Sequence, residues 1–247
     1  MGEIKVLRGS TSQEIDSRKK IIDALKNSPI PDEELLSNLG LYLNRQNLSR
    51  ILFMLELYKK IINIHGVVME FGIRWGQNLS LFSSFRGMYE PYNYNRKIIG
   101  FDTFEGFPNV DVKDGDKVSR GDYSVTKGYE HYLDSIMQYH QSESPVSHKK
   151  KYELVKGDAT ITIRDYLKKH PETIISLAYF DFDIYQPTRL CLEAIKPHLA
   201  KGSIIGFDEL NFESFPGETI AFNEILGINN YTIHRDPLNP LCSYIIF

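Results

Sequence analysis

The spacing of the hydrophobic residues changes near residue 66. Before it, apolar side chains recur at helical intervals in residues 12–26 and 51–64, and Ser49 is a suitable N-cap for the second segment. After it, short apolar runs alternate with amphipathic segments of helical length. This change predicts an N-terminal helical cap or dimer arm over residues 1–65 and one α/β domain over residues 66–247.

Seven short apolar runs in the second part are typical of buried strands. They cover residues 67–71, 98–101, 152–155, 174–180, 203–207, 231–234 and 243–247, with helices predicted at 78–85, 129–139, 161–170, 188–199 and 218–226. This alternation indicates a mostly parallel sheet with helices on both faces. Residues 103–128 are rich in Asp, Gly and Lys and show no period, so we expect a long loop that could serve as a lid.

Composition narrows the class of protein. The chain has 247 residues, 29 Lys and Arg against 32 Asp and Glu, and a net charge of −3, without the broad positive field of a dedicated nucleic-acid binder. The sequence has only two cysteines, which excludes a scaffold held by disulfides. Residues 1–10 do not resemble a secretory segment. The longest apolar run, residues 51–55, is too short to cross a bilayer. We expect a cytoplasmic globular protein without nucleic-acid or membrane partners, and the apolar helix 51–64 leaves a homodimer open.

Ligands of an open parallel sheet bind beyond the carboxyl ends of its strands. The first predicted strand ends at Glu70 and leads into a Gly-x-x-x-Gly turn formed by Gly72, Arg74 and Gly76. Such a turn lets a ligand approach the backbone, and the following helix offers free N–H groups to an anion. Arg74 and Gln77 stand where the dinucleotide fingerprint needs glycine, and the alternative is a tight turn that needs glycine only for its shape.

The second and third predicted strands also lead into carboxylates. Asp102, followed by Thr103, presents two acceptor oxygens that suit the vicinal hydroxyls of a ribose, or it forms an Asx-turn. Asp158, followed by Ala159, either caps the next helix or accepts a hydrogen bond from a purine amino group. Both acids are therefore candidates for a nucleoside site at the same edge of the sheet.

The fourth and fifth strands lead into a denser group of acids, with Asp181 and Asp183 after one and Asp208 and Glu209 after the other. In an extended chain Asp181 and Asp183 project toward the same face. If the two strands are neighbours, Asp181 and Asp208 converge, and their mutual repulsion is relieved by a proton or by a divalent ion with oxygen ligands. The pattern predicts a hard-cation site for Mg²⁺, Mn²⁺ or Ca²⁺, and the alternative is separate caps with Glu209 on the surface.

Five segments resemble the macrocin O-methyltransferase (TylF-like) family. They are residues 68–72 (VMEFG), 100–108 (GFDTFEGFP), 180–185 (FDFDIY), 202–205 (GSII) and 208–218, which contains DE and FPGE. The resemblance runs from about residue 47 to the end of the sequence. It implies a Rossmann-like class I methyltransferase fold with a seven-stranded sheet whose last strand is antiparallel. It also implies S-adenosylmethionine (SAM) as methyl donor and Mg²⁺-assisted methylation of hydroxyls, mostly on deoxysugars of natural products.

The resemblance implies that Glu70 and Gly72 border the methionine half of SAM, that Asp102 holds the ribose and that Asp158 lies near the adenine. The predicted cofactor-binding residues are Glu70, Gly72, Arg74, Gly76, Asp102, Thr103, Asp158 and Ala159.

For the acceptor, the resemblance matches Asp181, Asp208 and Glu209 to the metal-binding acids. The acceptor hydroxyl then coordinates the metal, Asp183 is the first candidate for the base, and Asp181 is the second. Three other functions are open: a catechol-like phenol as acceptor, a dinucleotide-dependent oxidoreductase, and a SAM-binding protein without activity.

Overall fold

The computed structural model describes residues 4–6 and 9–247. Its helices are α1 (Ser12–Lys26), α2 (Asp32–Leu35), α3 (Arg45–Ile61), α4 (Gln77–Tyr89), α5 (Tyr129–Glu143), α6 (Ala159–Lys169), α7 (Tyr185–Ile195) and α8 (Pro216–Ile225). Its strands are β1 (Val67–Phe71), β2 (Ile98–Asp102), β3 (Tyr152–Lys156), β4 (Ile175–Phe180), β5 (Leu199–Phe207), β6 (His234–Arg235) and β7 (Ser243–Ile246).

The strands form one seven-stranded sheet in the order β3-β2-β1-β4-β5-β7-β6. Strands β1 to β5 run parallel, whereas β7 is antiparallel to both β5 and β6. The predicted fold class is therefore confirmed. The chain moves outward from β1 to β3 and then returns to β4 on the other side of β1, so the strand order switches between β1 and β4. An open sheet leaves a crevice for ligands at that point.

Alternate residues of the strands supply two cores, one on each face of the sheet. Val68 packs in a cluster with apolar side chains of α3, α4 and α5. Its neighbour Met69 packs in a second cluster with side chains of α6, α7 and α8. This period of two, with both faces apolar, is the reason that the strands appear in the sequence as continuous hydrophobic runs.

Helix α3 begins earlier than the sequence predicts. Asn44 is its N-cap, accepting a hydrogen bond from the backbone N–H of Asn47 at 2.8 Å, and the helix ends at Ile61. The prediction of Ser49 as the N-cap is wrong, because its hydroxyl already lies inside the helix and donates to the Gln46 carbonyl at 2.9 Å. The earlier start makes α3 long enough to pack on the sheet while its first half reaches the carboxyl ends of the strands.

The segment before α3 follows the predicted pattern for α1, which spans residues Ser12–Lys26 and carries a capping box between Thr11 and Glu14. No residue of α1 or α2 is buried. The division of the chain at residue 65 stays a prediction. Within residues 4–6 and 9–247, no helix combines the length and the hydropathy that a bilayer-crossing segment requires.

Candidate active site

A cavity of about 310 Å³ lies at the carboxyl ends of β1 to β5, where the strand order switches. All eight predicted cofactor-binding residues line it, as do Asp181, Asp183, Asp208 and Glu209. The long loop after β2 supplies Phe107 and Tyr123 to the wall. One continuous space therefore joins the predicted nucleoside end to the acidic end.

The turn after β1 is shaped by contacts within the protein. Gly72 has a φ of +89°, and a Cβ at this position would overlap the Asp181 carbonyl. At Gly76, with a φ of +77°, a Cβ would overlap the Leu133 side chain. Packing within the protein therefore explains the glycine at both positions, without reference to a ligand. Gly76 is the N-cap of α4, and Gln77 and Asn78 in the first turn of that helix also line the cavity.

Asp102 accepts two backbone hydrogen bonds. Its Oδ1 takes the Phe104 N–H at 2.5 Å, which is the Asx-turn considered above, and its Oδ2 takes the Arg74 N–H at 2.7 Å. Each carboxylate oxygen has a second lone pair, so the group keeps acceptor capacity toward the cavity. The Thr103 hydroxyl donates to the Gly106 carbonyl at 2.8 Å and so shapes the start of the long loop.

Asp158 is the N-cap of α6, where its Oδ1 accepts from the Thr160 N–H at 2.9 Å and the Thr160 hydroxyl at 2.7 Å. Asp158 therefore caps the helix, as one of the two interpretations of the sequence predicts. Asp158 also lines the cavity beside Ala159, so capping and ligand contact are compatible.

Asp181 and Asp208 converge as their positions in the sequence predict. Phe180 and Phe207 are paired across β4 and β5, and each acid directly follows one of them. Between the two carboxylates lies the guanidinium of Arg50, which comes from the first half of α3. Its two Nη atoms reach an oxygen of Asp181 and an oxygen of Asp208, each at 2.5 Å. A protein cation therefore bridges the two acids.

Further hydrogen bonds hold this ion-paired group in place. Arg50 Nε donates to Asn78 Oδ1 at 3.4 Å, and Asn78 Nδ2 donates to Glu70 Oε1 at 3.0 Å. The oxygen of Asp208 that faces Arg50 also accepts from the Tyr179 hydroxyl at 2.7 Å and the Cys242 thiol at 3.2 Å. The oxygen is thereby surrounded by three donors.

The remaining acids lack such partners. Asp183 is buried and lines the cavity, and no group of the described residues donates a hydrogen bond to its carboxyl. Glu209 donates its backbone N–H to Glu218 Oε2 at 2.9 Å, while its own Oε2 is buried without a partner. Glu218 is fully buried behind it. Carboxyl groups therefore outnumber cationic side chains at this end of the cavity.

Burial and mutual repulsion shift the pKa values of these acids. Burial, followed by the charge of Asp208, raises the pKa of Asp181 to about 7. Burial and Asp208 likewise raise the pKa of Glu209 to about 8, and burial with Glu209 raises that of Asp183 well above its usual range. Burial also acts to raise the pKa of Asp208, but the Arg50 charge and the Tyr179 hydrogen bond lower it overall. Asp208 is thus the acid that Arg50 keeps ionised.

The donor chemistry suits a hard dication, but the arrangement does not. The described residues include no group of three His, Cys, Asp or Glu side chains disposed to hold a metal ion. The Arg50 guanidinium lies where an ion shared by Asp181 and Asp208 would have to lie. The predicted metal site of Asp181, Asp208 and Glu209 therefore does not fit the residues as they are placed.

Three contributors to the site escaped the sequence analysis: Arg50, Asn78 and Glu218. Arg50 falls between the predicted N-cap Ser49 and the predicted helix 51–64, outside the predicted α/β domain, where nothing in its neighbours distinguishes it from a solvated arginine. A signal for Glu218 was available, since it belongs to the FPGE segment that contributes to the family resemblance.

The charges of the cavity wall are strongly unequal. Its acids are Glu70, Asp102, Asp158, Asp181, Asp183, Asp208 and Glu209, and its cations are Arg50 and Arg74. A cavity at a Rossmann-like switch point with acids at the ends of the first strands is the arrangement of class I SAM-dependent methyltransferases.

Comparison with solved structures gives the family. The chain is 40% identical to "CalS11, Calicheamicin Methyltransferase", covering 100% of this chain and 97% of that one with a TM-score of 0.94. A second structure, "Apo structure of CalS11, TDP-rhamnose 3'-o-methyltransferase", shows 38% identity over 98% and 97% of the two chains, with a TM-score of 0.87. The O-methyltransferase NovP shares the fold at 13% identity and a TM-score of 0.61, over 96% of this chain and 99% of that one.

No family model and no curated protein matches the chain in the sequence comparisons. The agreement with CalS11 nevertheless extends over the full length. The chain belongs to the TylF-like (macrocin O-methyltransferase) family, and it is a SAM-dependent O-methyltransferase.

Proposed function

We propose that this enzyme methylates a hydroxyl of a sugar carried on a nucleotide. The observation that carries the proposal is the single cavity that joins the strand-end acids after β1, β2 and β3 to the acids after β4 and β5. One end suits the donor and the other suits a polyhydroxylated acceptor, because carboxylates accept hydrogen bonds from vicinal hydroxyls. The relative with the printed name TDP-rhamnose 3'-O-methyltransferase supports a sugar nucleotide as the acceptor.

In this proposal Asp102 accepts from the ribose hydroxyls, Asp158 and Ala159 border the adenine, and Glu70 and Gly72 border the methionine half. The acid-rich wall favours a donor that carries a positive sulfonium. Arg74 and Gln77 stand in place of the second and third glycines of the dinucleotide fingerprint, which argues against the oxidoreductase alternative.

Arg74 is proposed to bind the SAM carboxylate. Its guanidinium forms no ion pair with the described residues, and its Nε is buried without a hydrogen-bond partner. It lies 5.7 Å from the Trp75 ring centroid and 5.1 Å from that of Tyr123, so the two rings hold it at the cavity wall. Because Arg50 is already paired with two acids, Arg74 is the wall cation of the described chain with unsatisfied charge.

The reaction we propose is an in-line displacement. The acceptor oxygen forms a bond to the methyl carbon, the carbon–sulfur bond breaks with its electron pair staying on sulfur, and the hydroxyl proton passes to a carboxylate. Asp183 is the first candidate to take that proton, because it faces the cavity and no protein donor occupies its oxygens; Asp181 is the second. Holding donor and acceptor in line can supply about 7–11 kcal/mol of the barrier reduction.

Two finer expectations stay predictions. Divalent-metal assistance is one of them, although an ion shared by Asp181 and Asp208 would require Arg50 to leave. The loop 103–128 is proposed to close over the acceptor, supported by the Phe107 and Tyr123 contacts with the cavity.

The proposal is tested by incubating the enzyme with SAM and TDP-rhamnose and analysing the products by mass spectrometry. We expect one methyl group to be added to the sugar and an equal amount of S-adenosylhomocysteine (SAH) to form. Free rhamnose tests the need for the nucleotide, and catechol tests the phenol alternative. Methylation of catechol without methylation of any sugar substrate would overturn the sugar assignment.

A further inference from the structure

The most unusual feature of the acceptor end is that its bridging cation is a side chain. All three nitrogens of the Arg50 guanidinium point to side chains of the site: Nη1 to Asp208, Nη2 to Asp181 and Nε to Asn78. The side chain is only 25% exposed, and it lines the cavity. Such bonding at every nitrogen differs from a surface arginine that pairs with one neighbour.

Arg50 also retains donors for a ligand. A guanidinium has five N–H groups, and three are used by Asp181, Asp208 and Asn78. Two N–H groups remain on the Nη atoms of a side chain that lines the cavity. These donors can bond to hydroxyl oxygens of an acceptor, such as those of a vicinal diol.

We infer that Arg50 supplies the positive charge of the acceptor site and stabilises the acceptor oxygen as the hydroxyl proton leaves. Arg50 and a divalent ion then compete for the same space between Asp181 and Asp208, so only one of them can occupy it. This inference rests on the proposed function for the identity of the acceptor. Its basis is the position of the guanidinium. A metal shared by the two acids must displace a group that is held by three hydrogen bonds.

The inference predicts that metal binding and metal-dependent activity both change when Arg50 is removed. With Arg50 in place, its single positive charge offsets part of the charge of the two carboxylates and its guanidinium fills the space between them, so they bind a dication weakly. Without it, they face each other uncompensated, so a dication binds in its place. The matched variants are Arg50→Gln, which removes the charge, and Arg50→Lys, which keeps the charge but loses the planar fork. Arg45→Gln removes an exposed charge from the first turn of the same helix and is the control.

The experiment measures Mn²⁺ binding by electron paramagnetic resonance and methyl transfer in EDTA or in excess Mg²⁺. We expect wild type and Arg45→Gln to bind no stoichiometric Mn²⁺ and to keep their activity in EDTA within twofold. Arg50→Gln should gain one Mn²⁺ site, lose about 100-fold or more of its activity in EDTA, and recover part of it with Mg²⁺. Arg50→Lys should bind no Mn²⁺ and retain intermediate activity in EDTA.

The opposite pattern would overturn the inference: one tight Mn²⁺ site in wild type that Arg50→Gln does not strengthen, or full activity of Arg50→Gln in EDTA. The shift of the melting temperature by SAH checks that each variant is folded. Mn²⁺ binding needs neither SAM nor a sugar, so it tests Arg50 even if TDP-rhamnose proves not to be a substrate. If no variant methylates TDP-rhamnose but the Mn²⁺ binding of all four proteins is as expected, only the assignment of the acceptor is wrong.

Discussion

At the scale of single residues, the same acids serve structure and chemistry at once. Asp102 closes an Asx-turn and also fixes the Arg74 backbone, while Asp158 caps α6. In each case the carboxylate is oriented by the backbone before any ligand arrives. A ligand that bonds to such a group finds it already held in one conformation, which reduces the entropy lost on binding.

The first prediction concerns Asp102. Asp102→Asn keeps an amide oxygen that can accept from Phe104 in the Asx-turn, but it removes the charged acceptor proposed for the ribose and replaces the oxygen that accepts from the Arg74 N–H. A hydrogen bond to an ionised group contributes about 1.5–3 kcal/mol, so we expect the SAH dissociation constant to rise about 10- to 100-fold in isothermal titration calorimetry. Asp165→Asn, an exposed acid on α6, should leave that constant unchanged. Equal affinity in the two variants would remove Asp102 from the cofactor site.

A second prediction at this scale uses two glycines. In Gly72→Ala, the new methyl group meets the Asp181 carbonyl, and alanine is strained at a φ of +89°. We expect destabilisation of about 1–3 kcal/mol from the backbone strain and a loss of SAH binding.

Gly87→Ala is the matched control. This glycine lies in α4 with open space where the Cβ would be, so alanine should stabilise the protein by about 0.5–1 kcal/mol. Urea unfolding measures both changes, and destabilisation by both variants would contradict the strain argument.

At the scale of elements, one buried arginine connects the end of α3 to the sheet. Arg96 is 2% exposed in its side chain and pairs with Glu90 at 3.0 Å. Its Nη atoms donate to the Ile61 carbonyl at 2.9 Å, to the Gly66 carbonyl at 2.5 Å and to the Ser176 hydroxyl at 2.6 Å. These bonds satisfy carbonyls at the helix end and hold α3, and with it Arg50, against β1 and β4.

Arg96→Met should therefore be strongly destabilising. The substitution removes the cationic partner of Glu90 and the donor of the Ile61 and Gly66 carbonyls, and breaking a buried pair costs about 3–5 kcal/mol. Arg164→Met, which removes an exposed arginine 3.9 Å from Glu193, should change the free energy of unfolding by less than about 1 kcal/mol. Denaturant titration of both variants checks the difference, and similar costs would show that burial of Arg96 is not what matters.

At the largest scale, the loop between β2 and α5 lines the cavity and is anchored to the elements beside it. A small apolar cluster of Phe107, Val118, Ile184 and Phe215 holds it, and Asp114 accepts the Tyr185 N–H at 2.5 Å. Lys113 also pairs with Glu224 of α8 at 2.7 Å, so the loop is fixed at several points and its exposed stretches lie between them.

We expect trypsin to cut this loop in the free protein, at the exposed Lys117, Arg120 or Lys127, and SAH to slow the cut. The reason is that a ligand in the cavity adds contacts to the loop residues that line it. Cleavage at Lys149, exposed in the connector before β3, should not change. Gel analysis of the fragments shows whether the protection is confined to the loop; equal protection at both places would indicate a global effect.

The amino-acid sequence by itself determined the α/β class, because strands buried on both faces need continuous apolar runs and parallel strands need helical connections. It also located the strand-end acids, since β4 and β5 are neighbours whose ends lie at the same edge. It could not reveal Arg50, which is 131 residues from Asp181 and indistinguishable there from a solvated arginine. Only the tertiary structure, through the packing of α3 on the sheet, decided that a guanidinium stands between the two carboxylates. A sequence records which charges are present, but the neutralising partner of a charge depends on which elements meet in space.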